Sequence, residues 1–309
     1  MTMTWTSDEL EIVPCDSCGH RKSTAVYRRP DGLDVVRCLN CGLHFLNPRP
    51  VEAAIGRMYG ADYYTAGNGS IGYVYDYASD AYRSIASEVA SNRLHVLKQT
   101  MQIDGKRVLE IGCATGEFCA AAQHAGATPL GIDLSGEIVD AATRRYPTIE
   151  FRRETAESLA GRGERFDLVT AYEVIEHVPA PAAWLRASAE LLSAGGYLVL
   201  TTPDVERARA VGPGNWTGFN TSLEHLYFFS LDTLDRLMTR SGLTVEAVYS
   251  QGSGLAASEA STALRTLAAR FRLIDAARKL KHALTAAPPY ASWNPGPGLH
   301  TIMVIARKS

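Results

Sequence analysis

The chain has 309 residues, of which 46% are apolar and 21% charged, enough for one full α/β domain plus a small appendage with a soluble surface. Its 31 basic and 33 acidic residues leave a net charge of -2, which argues against a protein living on nucleic acid and towards a small-molecule partner. No apolar run reaches the roughly 18–20 residues of a membrane span, and Met1–Pro14 lacks the basic and apolar stretches of a secretory signal, so the expected compartment is the cytoplasm.

Residues 1–47 carry two knuckles, Cys15-Asp-Ser-Cys18-Gly and Cys38-Leu-Asn-Cys41-Gly, separated by β-like runs at Thr24–Tyr27 and Asp34–Arg37. Two thiolates around each tight turn make the four tetrahedral ligands that zinc prefers, and the spacing is that of a zinc ribbon. Four sulfur ligands leave no open position, so the expected Zn2+ site, Cys15, Cys18, Cys38 and Cys41, is structural. Residues 48–100 read as a tyrosine-rich helical linker or lid. Tyr59, Tyr63, Tyr64, Tyr73, Tyr75 and Tyr77 lie among glycines, and helical spacing follows over Asp76–Gln99. Tyr64, Tyr75 and Tyr77, with Trp216 further on, are candidate substrate contacts, because a tyrosine or tryptophan offers flat apolar surface with a polar tip.

From residue 101 strands and helices alternate. Strands are expected at RVLEIG, Thr128–Asp133, Ile149–Arg152, Phe166–Ala171, Tyr197–Thr202, Leu243–Tyr249 and His300–Arg307. Helices are expected from Phe118, over Glu137–Tyr146, Ala182–Leu192 and Leu231–Ser241. Near-continuous apolar strands in that alternation predict a mostly parallel, seven-stranded, Rossmann-like α/β sheet with helices on both faces and its ligand at the carboxyl ends of the strands. An insertion over 251–299 has a basic helical core at 263–284. It reads as a solvated amphipathic pair or as a peripheral contact with a membrane surface or anionic substrate.

The segment Glu110-Ile-Gly112-Cys113-Ala-Thr-Gly116 is a glycine turn between strand and helix, where backbone can approach a ligand closely. Its spacing differs from the dinucleotide GxGxxG, and it has an acid at the strand end. Asp133 closes the second strand, about where an acid can accept from ribose hydroxyls. With FDLV at Phe166–Val169 and EVIEH at Glu173–His177, these residues resemble the class I S-adenosylmethionine-dependent methyltransferases over about residues 100–250 and the closing strand. The resemblance implies that S-adenosylmethionine lies over Gly112, Cys113 and Gly116. Glu110 would fix its amino group, Asp133 its ribose, and Leu134, Ala156 and Glu157 its adenine; Tyr172 joins these cofactor contacts. The family often has Asp where this chain has Thr155, and glycine where it has Ala114.

Methyl transfer to a hydroxyl or an acidic carbon needs a base as well as placement. Sugar C-methyltransferases of deoxysugar pathways carry a comparable zinc module and Glu-His pair. That resemblance implies His225 as base, with Glu224 and His177 as the other candidates. The expected function is O- or C-methylation of a small molecule such as a sugar or secondary metabolite. The alternatives are a zinc-ribbon ribosomal RNA guanine methyltransferase, or a protein that binds S-adenosylmethionine and uses its sulfonium otherwise, as in cyclisation.

Overall fold

The computed structural model describes residues 5–55, 77, 79–251 and 301–309. Tyr64, Tyr75 and the helical core expected at 263–284 lie outside them. Five short strands open the chain: β1 (Leu10–Glu11), β2 (Ser23–Arg28), β3 (Asp34–Cys38), β4 (His44–Leu46) and β5 (Arg49–Pro50). Two helices follow, α1 (Glu52–Ile55) and α2 (Asp80–Thr100). The alternating region runs β6 (Arg107–Ile111), α3 (Glu117–His124), β7 (Thr128–Asp133), α4 (Gly136–Arg145), β8 (Glu150–Arg153), α5 (Ala156–Ala160) and β9 (Phe166–Tyr172). It continues through α6 (Pro181–Leu191), β10 (Leu192–Pro203), α7 (Glu206–Val211), α8 (Thr217–Asn220), β11 (Tyr227–Phe228), α9 (Leu231–Arg240), β12 (Leu243–Gln251) and β13 (Thr301–Lys308).

Seven strands form one sheet in the order β12-β13-β10-β9-β6-β7-β8. Every neighbouring pair from β8 to β10 is parallel, and β13 runs antiparallel to both β10 and β12. The apolar strands are buried on both sides, as their composition requires. Leu109, Val169, Leu198, Leu200 and Val304 pack with Trp184 and Leu185 of α6 and Leu234, Leu237 and Met238 of α9. Their strand neighbours Val108, Leu168, Val199, Met303 and Ile305 turn the other way, onto Leu94 and Leu97 of α2 and Phe118 and Ala122 of α3. Each fully buried aliphatic or aromatic side chain of this kind contributes about 1.5–3 kcal/mol, so alternation along the strands fixes both helical layers at once.

The N-terminal strands make a second sheet in the order β11-β4-β3-β2, and its outer strand comes from far along the chain. Tyr227 pairs with Phe45 and Phe228 with His44, antiparallel. Val35, Val36, Leu43, Phe45 and Leu46 of the N-terminal hairpins share one apolar cluster with the large sheet. Polar contacts reinforce the junction. Helix α6 begins at Pro181 after Ala180, which has no side chain to cap it. Asp16, inside the first cysteine knuckle, supplies the cap by accepting from the Ala182 amide at 2.7 Å. Arg240 at the end of α9 donates back to the Ser17 carbonyl.

Three sequence expectations change in detail. The fifth strand starts at Leu192 rather than Tyr197, with its register broken between those two residues. The Thr155 region is a helix start: the Thr155 hydroxyl accepts from the Ser158 amide at 3.1 Å and caps α5, a role in which Thr and Asp are both favoured. Trp216 is fully buried, edge-on to Phe219 at 4.7 Å and to Phe228 at 6.2 Å, so it backs the site instead of lining it.

Phe45 is 2% exposed and faces Tyr227 with ring centroids 6.2 Å apart across the β4–β11 pair. Phe45→Ala is expected to cost about 3–5 kcal/mol. A thermal melt should show one transition at lower temperature; an unchanged main transition with a separate early one would mean that the N-terminal sheet folds independently.

Candidate active site

The carboxyl ends of β6, β7, β9 and β10 meet on one edge of the sheet, where a parallel sheet exposes its ligand crevice. Gly112 and Gly116 hold the loop between β6 and α3 with φ of +70° and +87°. At Gly112 a Cβ would sit 2.6 Å from Val174 Cγ2, so only glycine fits both the dihedral and the space. Ala114, between them, carries φ 44°, a conformation that glycine tolerates better, which accounts for the family preference at that position. Glu173, on the loop after β9, also has a positive φ of 56°, and its amide donates to the Thr201 carbonyl and hydroxyl, both at 3.1 Å. Two non-glycine residues in the left-handed region at one strand edge mark a locally strained site.

Asp133 is anchored through both oxygens. Oδ1 accepts from the Ser135 amide at 3.0 Å and Oδ2 from the Ala114 amide at 3.2 Å, which ties the end of β7 to the glycine loop. A carboxylate has about four lone-pair sites, so acceptor capacity remains for a ligand. Leu134 beside it is 67% exposed, one of few large apolar side chains left in solvent. Ala156 is buried in the core, and Glu157 stands exposed in the first turn of α5. Glu110 is 4% exposed and accepts from the Cys119 thiol at 3.1 Å. Burial pushes its carboxyl up to about 8. Cys113 and Cys119 are buried together with Ile149. Tyr172 lies between Phe118, edge-on at 5.0 Å, and the guanidinium of Arg93, 3.9 Å from its ring centre. Tyr77 meets Tyr82 with the rings tilted at 43° and centroids 4.4 Å apart, near the glycine loop through the Tyr82 contact with Thr115.

The second half of the crevice is a buried cluster of acids and imidazoles. His177 and His225 meet edge to face, centroids 4.7 Å apart. His225 Nε2 is 4.0 Å from Glu176 Oε1 and 4.0 Å from Glu224 Oε1. Glu176, His177 and His225 bring a carboxylate oxygen and two ring nitrogens within 4.8 Å of one another. Two backbone bonds join the segments, since the Leu226 and Tyr227 amides both donate to the Glu176 carbonyl, at 2.9 and 3.1 Å. Burial disfavours charge on all of them. It holds His177 down to about 4 and pushes Glu224 up to about 7. It takes His225 well below its usual value, with His177 beside it and the positive charge of Arg29 adding to the effect. Glu176 is raised by burial and then by Glu173. Both imidazoles are therefore uncharged at neutral pH and able to accept a proton.

The four knuckle cysteines converge as expected. Cys15 and Cys41 sulfurs are 3.4 Å apart, Cys18 and Cys38 3.6 Å, and all four lie within 4.8 Å of each other. A disulfide needs about 2.05 Å, whereas sulfurs around tetrahedral zinc at about 2.3 Å stand roughly 3.8 Å apart. Gly19 and Gly42 close the two turns with φ of +71° and +82°, their amides bonded to the Cys15 and Cys38 carbonyls. The donor set fits a closed thiolate metal site.

Three residues of the crevice escaped the sequence reading. Glu173 and Glu176 were visible only as letters of the EVIEH segment. Arg93 comes from α2, and nothing in a helical repeat singles out which arginine turns inward.

With this geometry in place, comparison with known proteins is informative. A model of the methyltransferase domain matches residues 77–248, more than half of the chain. The chain belongs to the methyltransferase domain family. A ubiquinone biosynthesis O-methyltransferase of Cereibacter sphaeroides is 36% identical over 122 residues, 38% of this chain and 49% of that one. A protein of the same name from Leptothrix cholodnii is 37% identical over 117 residues, 36% of this chain and 50% of that one. The chain thus spans about half the length of the curated relatives it matches. Among solved structures, a candidate sarcosine dimethylglycine methyltransferase of Galdieria sulphuraria shares the fold, with a TM-score of 0.51 at 14% identity over 82% of this chain and 98% of its own. Among the described residues no helix is long and apolar enough to cross a membrane.

Glu110 titrates high in the folded chain and near 4.5 when unfolded, so its neutral form stabilises the fold at acid pH and that contribution is lost as pH rises through about 8. Glu110→Gln should therefore raise the melting temperature at pH 8–9, with the gain shrinking towards pH 5. A gain that is equal at both ends, or larger at pH 5, would contradict the assignment.

Proposed function

We propose that this chain transfers the methyl group of S-adenosylmethionine to an oxygen or carbon of a small-molecule acceptor, with His225 as proton acceptor. The observation that carries the reading is the junction on one strand edge of the Gly112 loop, Glu110 and Asp133 with an uncharged, buried imidazole pair. When bound, S-adenosylmethionine supplies an electrophilic methyl group and departs as a neutral thioether. The chain's own residues fit that cofactor. Asp133 keeps acceptor capacity that would serve the ribose hydroxyls, exposed Leu134 would offer apolar surface to adenine, Glu110 would hold the ammonium and Arg93 the carboxylate. His225 takes the acceptor's proton as the new bond to carbon forms. Glu224, 4.0 Å from its Nε2 and titrating at about 7, is partly ionised at neutral pH and stabilises the imidazolium. The curated relatives are O-methyltransferases by name, which favours a hydroxyl over a carbon acid. Ubiquinone precursors, sugars and other secondary metabolites with acidic hydroxyls are the acceptor classes to test. We place the protein in the cytoplasm, with the cysteine quartet holding one structural zinc and Tyr77 among the substrate contacts.

The test is incubation of the protein with methyl-labelled S-adenosylmethionine and a cell extract split into small-molecule and RNA fractions. Label should enter a small molecule, with S-adenosylhomocysteine formed in equal amount. Label in RNA would favour the ribosomal RNA reading, and methylthioadenosine without label transfer would favour a non-methylating reaction. His225→Ala should lower turnover by about 10²–10⁴ at unchanged S-adenosylhomocysteine affinity; unchanged turnover removes His225 from the chemistry.

Metal analysis should find about one zinc per chain. Far less than that in folded, active protein would refute the zinc assignment, and its removal should lower the melting temperature of the whole chain.

A further inference from the structure

The N-terminal module touches the reactive cluster through one side chain that the metal site does not use. Arg29 stands just after β2 with its side chain fully buried, and so does its partner Asp31. Arg29 Nε donates to Asp31 Oδ1 at 3.1 Å and Nη2 to Asp31 Oδ2, a two-point pairing. The outer donors then reach across to a turn far along the chain. Nη1 donates to the His225 carbonyl at 2.9 Å, and Nη2 to the Leu223 carbonyl at 2.6 Å. Those two carbonyls flank Glu224, so the planar fork lies against the turn that presents both Glu224 and His225.

The support for the fork is itself fixed. The Arg29 amide donates to the Leu33 carbonyl at 2.9 Å, the Gly32 amide to the Arg29 carbonyl at 3.0 Å, and the Leu33 amide to Asp31 Oδ1 at 3.3 Å. Beyond His225 the same segment is held from both sides: the Leu46 amide donates to the Leu226 carbonyl at 2.9 Å, and Leu226 and Tyr227 donate to the Glu176 carbonyl. His225 therefore sits between a clamp from the N-terminal sheet and a clamp from the loop after β9.

Stability alone does not account for this arrangement. Taking two charges out of water costs several kcal/mol per ion, and a buried pair is often replaced by apolar residues without loss. A rigid fork with four used N–H donors does something that an apolar pair cannot, because it sets the position of two specific carbonyls. Displacements of about 1 Å in a catalytic group can cost a hundredfold in rate.

We propose that the buried Arg29–Asp31 pair is a positioning device for the Glu224–His225 turn, through which the cysteine-bearing module sets the geometry of the proton acceptor. The inference rests on His225 being that acceptor. The groups that face His225 are Glu176 and His177 from the loop after β9, Glu224 from its own turn and Arg29 from the N-terminal sheet, with the apolar ring of Phe228 at 6.2 Å. Arg29 is thus the permanent positive charge in that shell, and it opposes a second positive charge on the imidazole.

Two variants of the full-length, zinc-loaded protein separate geometry from charge. The paired substitution Arg29→Met with Asp31→Leu removes fork and charge while keeping an apolar fill. Arg29→Lys keeps the charge and loses the fork. Both should retain zinc content and S-adenosylhomocysteine affinity. Both should lower turnover against the small-molecule extract by about tenfold or more, and both should speed amide exchange at Leu226 and Tyr227. Ring-labelled histidine NMR should show the His225 pKa rising in the paired variant, so that its turnover declines at a higher pH on the acid side, and little changed in Arg29→Lys. Folded variants with unchanged turnover, amide exchange and His225 titration would overturn the inference. His225→Ala in the same assay keeps the two readings apart. If it leaves turnover intact, the base assignment fails; if it abolishes turnover while the paired variant stays fully active, only the positioning role fails.

Discussion

A two-residue strand pairing carries an unusual share of the organisation around the crevice. Tyr227 and Phe228 complete the small N-terminal sheet by pairing with Phe45 and His44. Without that pairing β4 would be an exposed edge, with its amides and carbonyls open to other chains. With it, the segment just before β11 has nowhere to move: Leu46 holds the Leu226 carbonyl from one side and the Glu176 carbonyl takes the Leu226 and Tyr227 amides from the other. The cysteine cluster stands at the far end of the same hairpins, and its influence on the crevice passes through hydrogen-bonded backbone. The N-terminal module thus backs the segment that carries Glu224 and His225.

The large sheet was legible because its strands obey a simple physical rule. A strand covered on both faces has to be apolar at almost every position, and RVLEI, FDLVTA and YLVLTT announce themselves that way. The cysteine quartet and the glycine loop were legible for another reason: their chemistry needs particular residue types at fixed short spacing. What escaped was whatever depends on long-range partners. A strand as short as Tyr227–Phe228 has no period to detect, and its partner lies more than half the chain length away. Trp216 looked like a pocket residue because loops carry function. The structure instead buries it fully against Phe219 and Phe228, where it was expected to contact substrate. Arg29 was invisible as well, since an arginine beside Pro30 and Asp31 reads as a polar hairpin tip.

The same distinction explains the site residues. Glu110, Asp133 and His177 stand at strand ends or just after them, so the strand assignment alone delivers them to the crevice. His225 was selected by resemblance and by its neighbour Glu224, and its contact with His177 is a tertiary fact. Arg93 reaches Tyr172 from a helix whose residues give no sign of which side faces the sheet edge.

Electrostatics ties the two halves of the crevice together. The acids Glu110, Glu173, Glu176 and Glu224 are all pushed towards their neutral forms by burial, and His177 and His225 towards theirs. Burial therefore works against charge on each of these ionisable groups. A cationic ligand changes that balance, because a positive charge nearby favours the ionised carboxyl and lowers its pKa. Binding a sulfonium or an ammonium beside Glu110 would release a proton that burial had held there. The cost of burying the acid is then offset only when the cation is present, so the same low-dielectric pocket that weakens the empty fold favours a positively charged occupant. Arg93 and Arg29 bracket the cluster, one beside the glycine loop and one behind the His225 turn, each lowering the carboxyl nearest to it. Both guanidiniums thus act against the burial that holds these carboxyls neutral, in the same sense as a bound cation would.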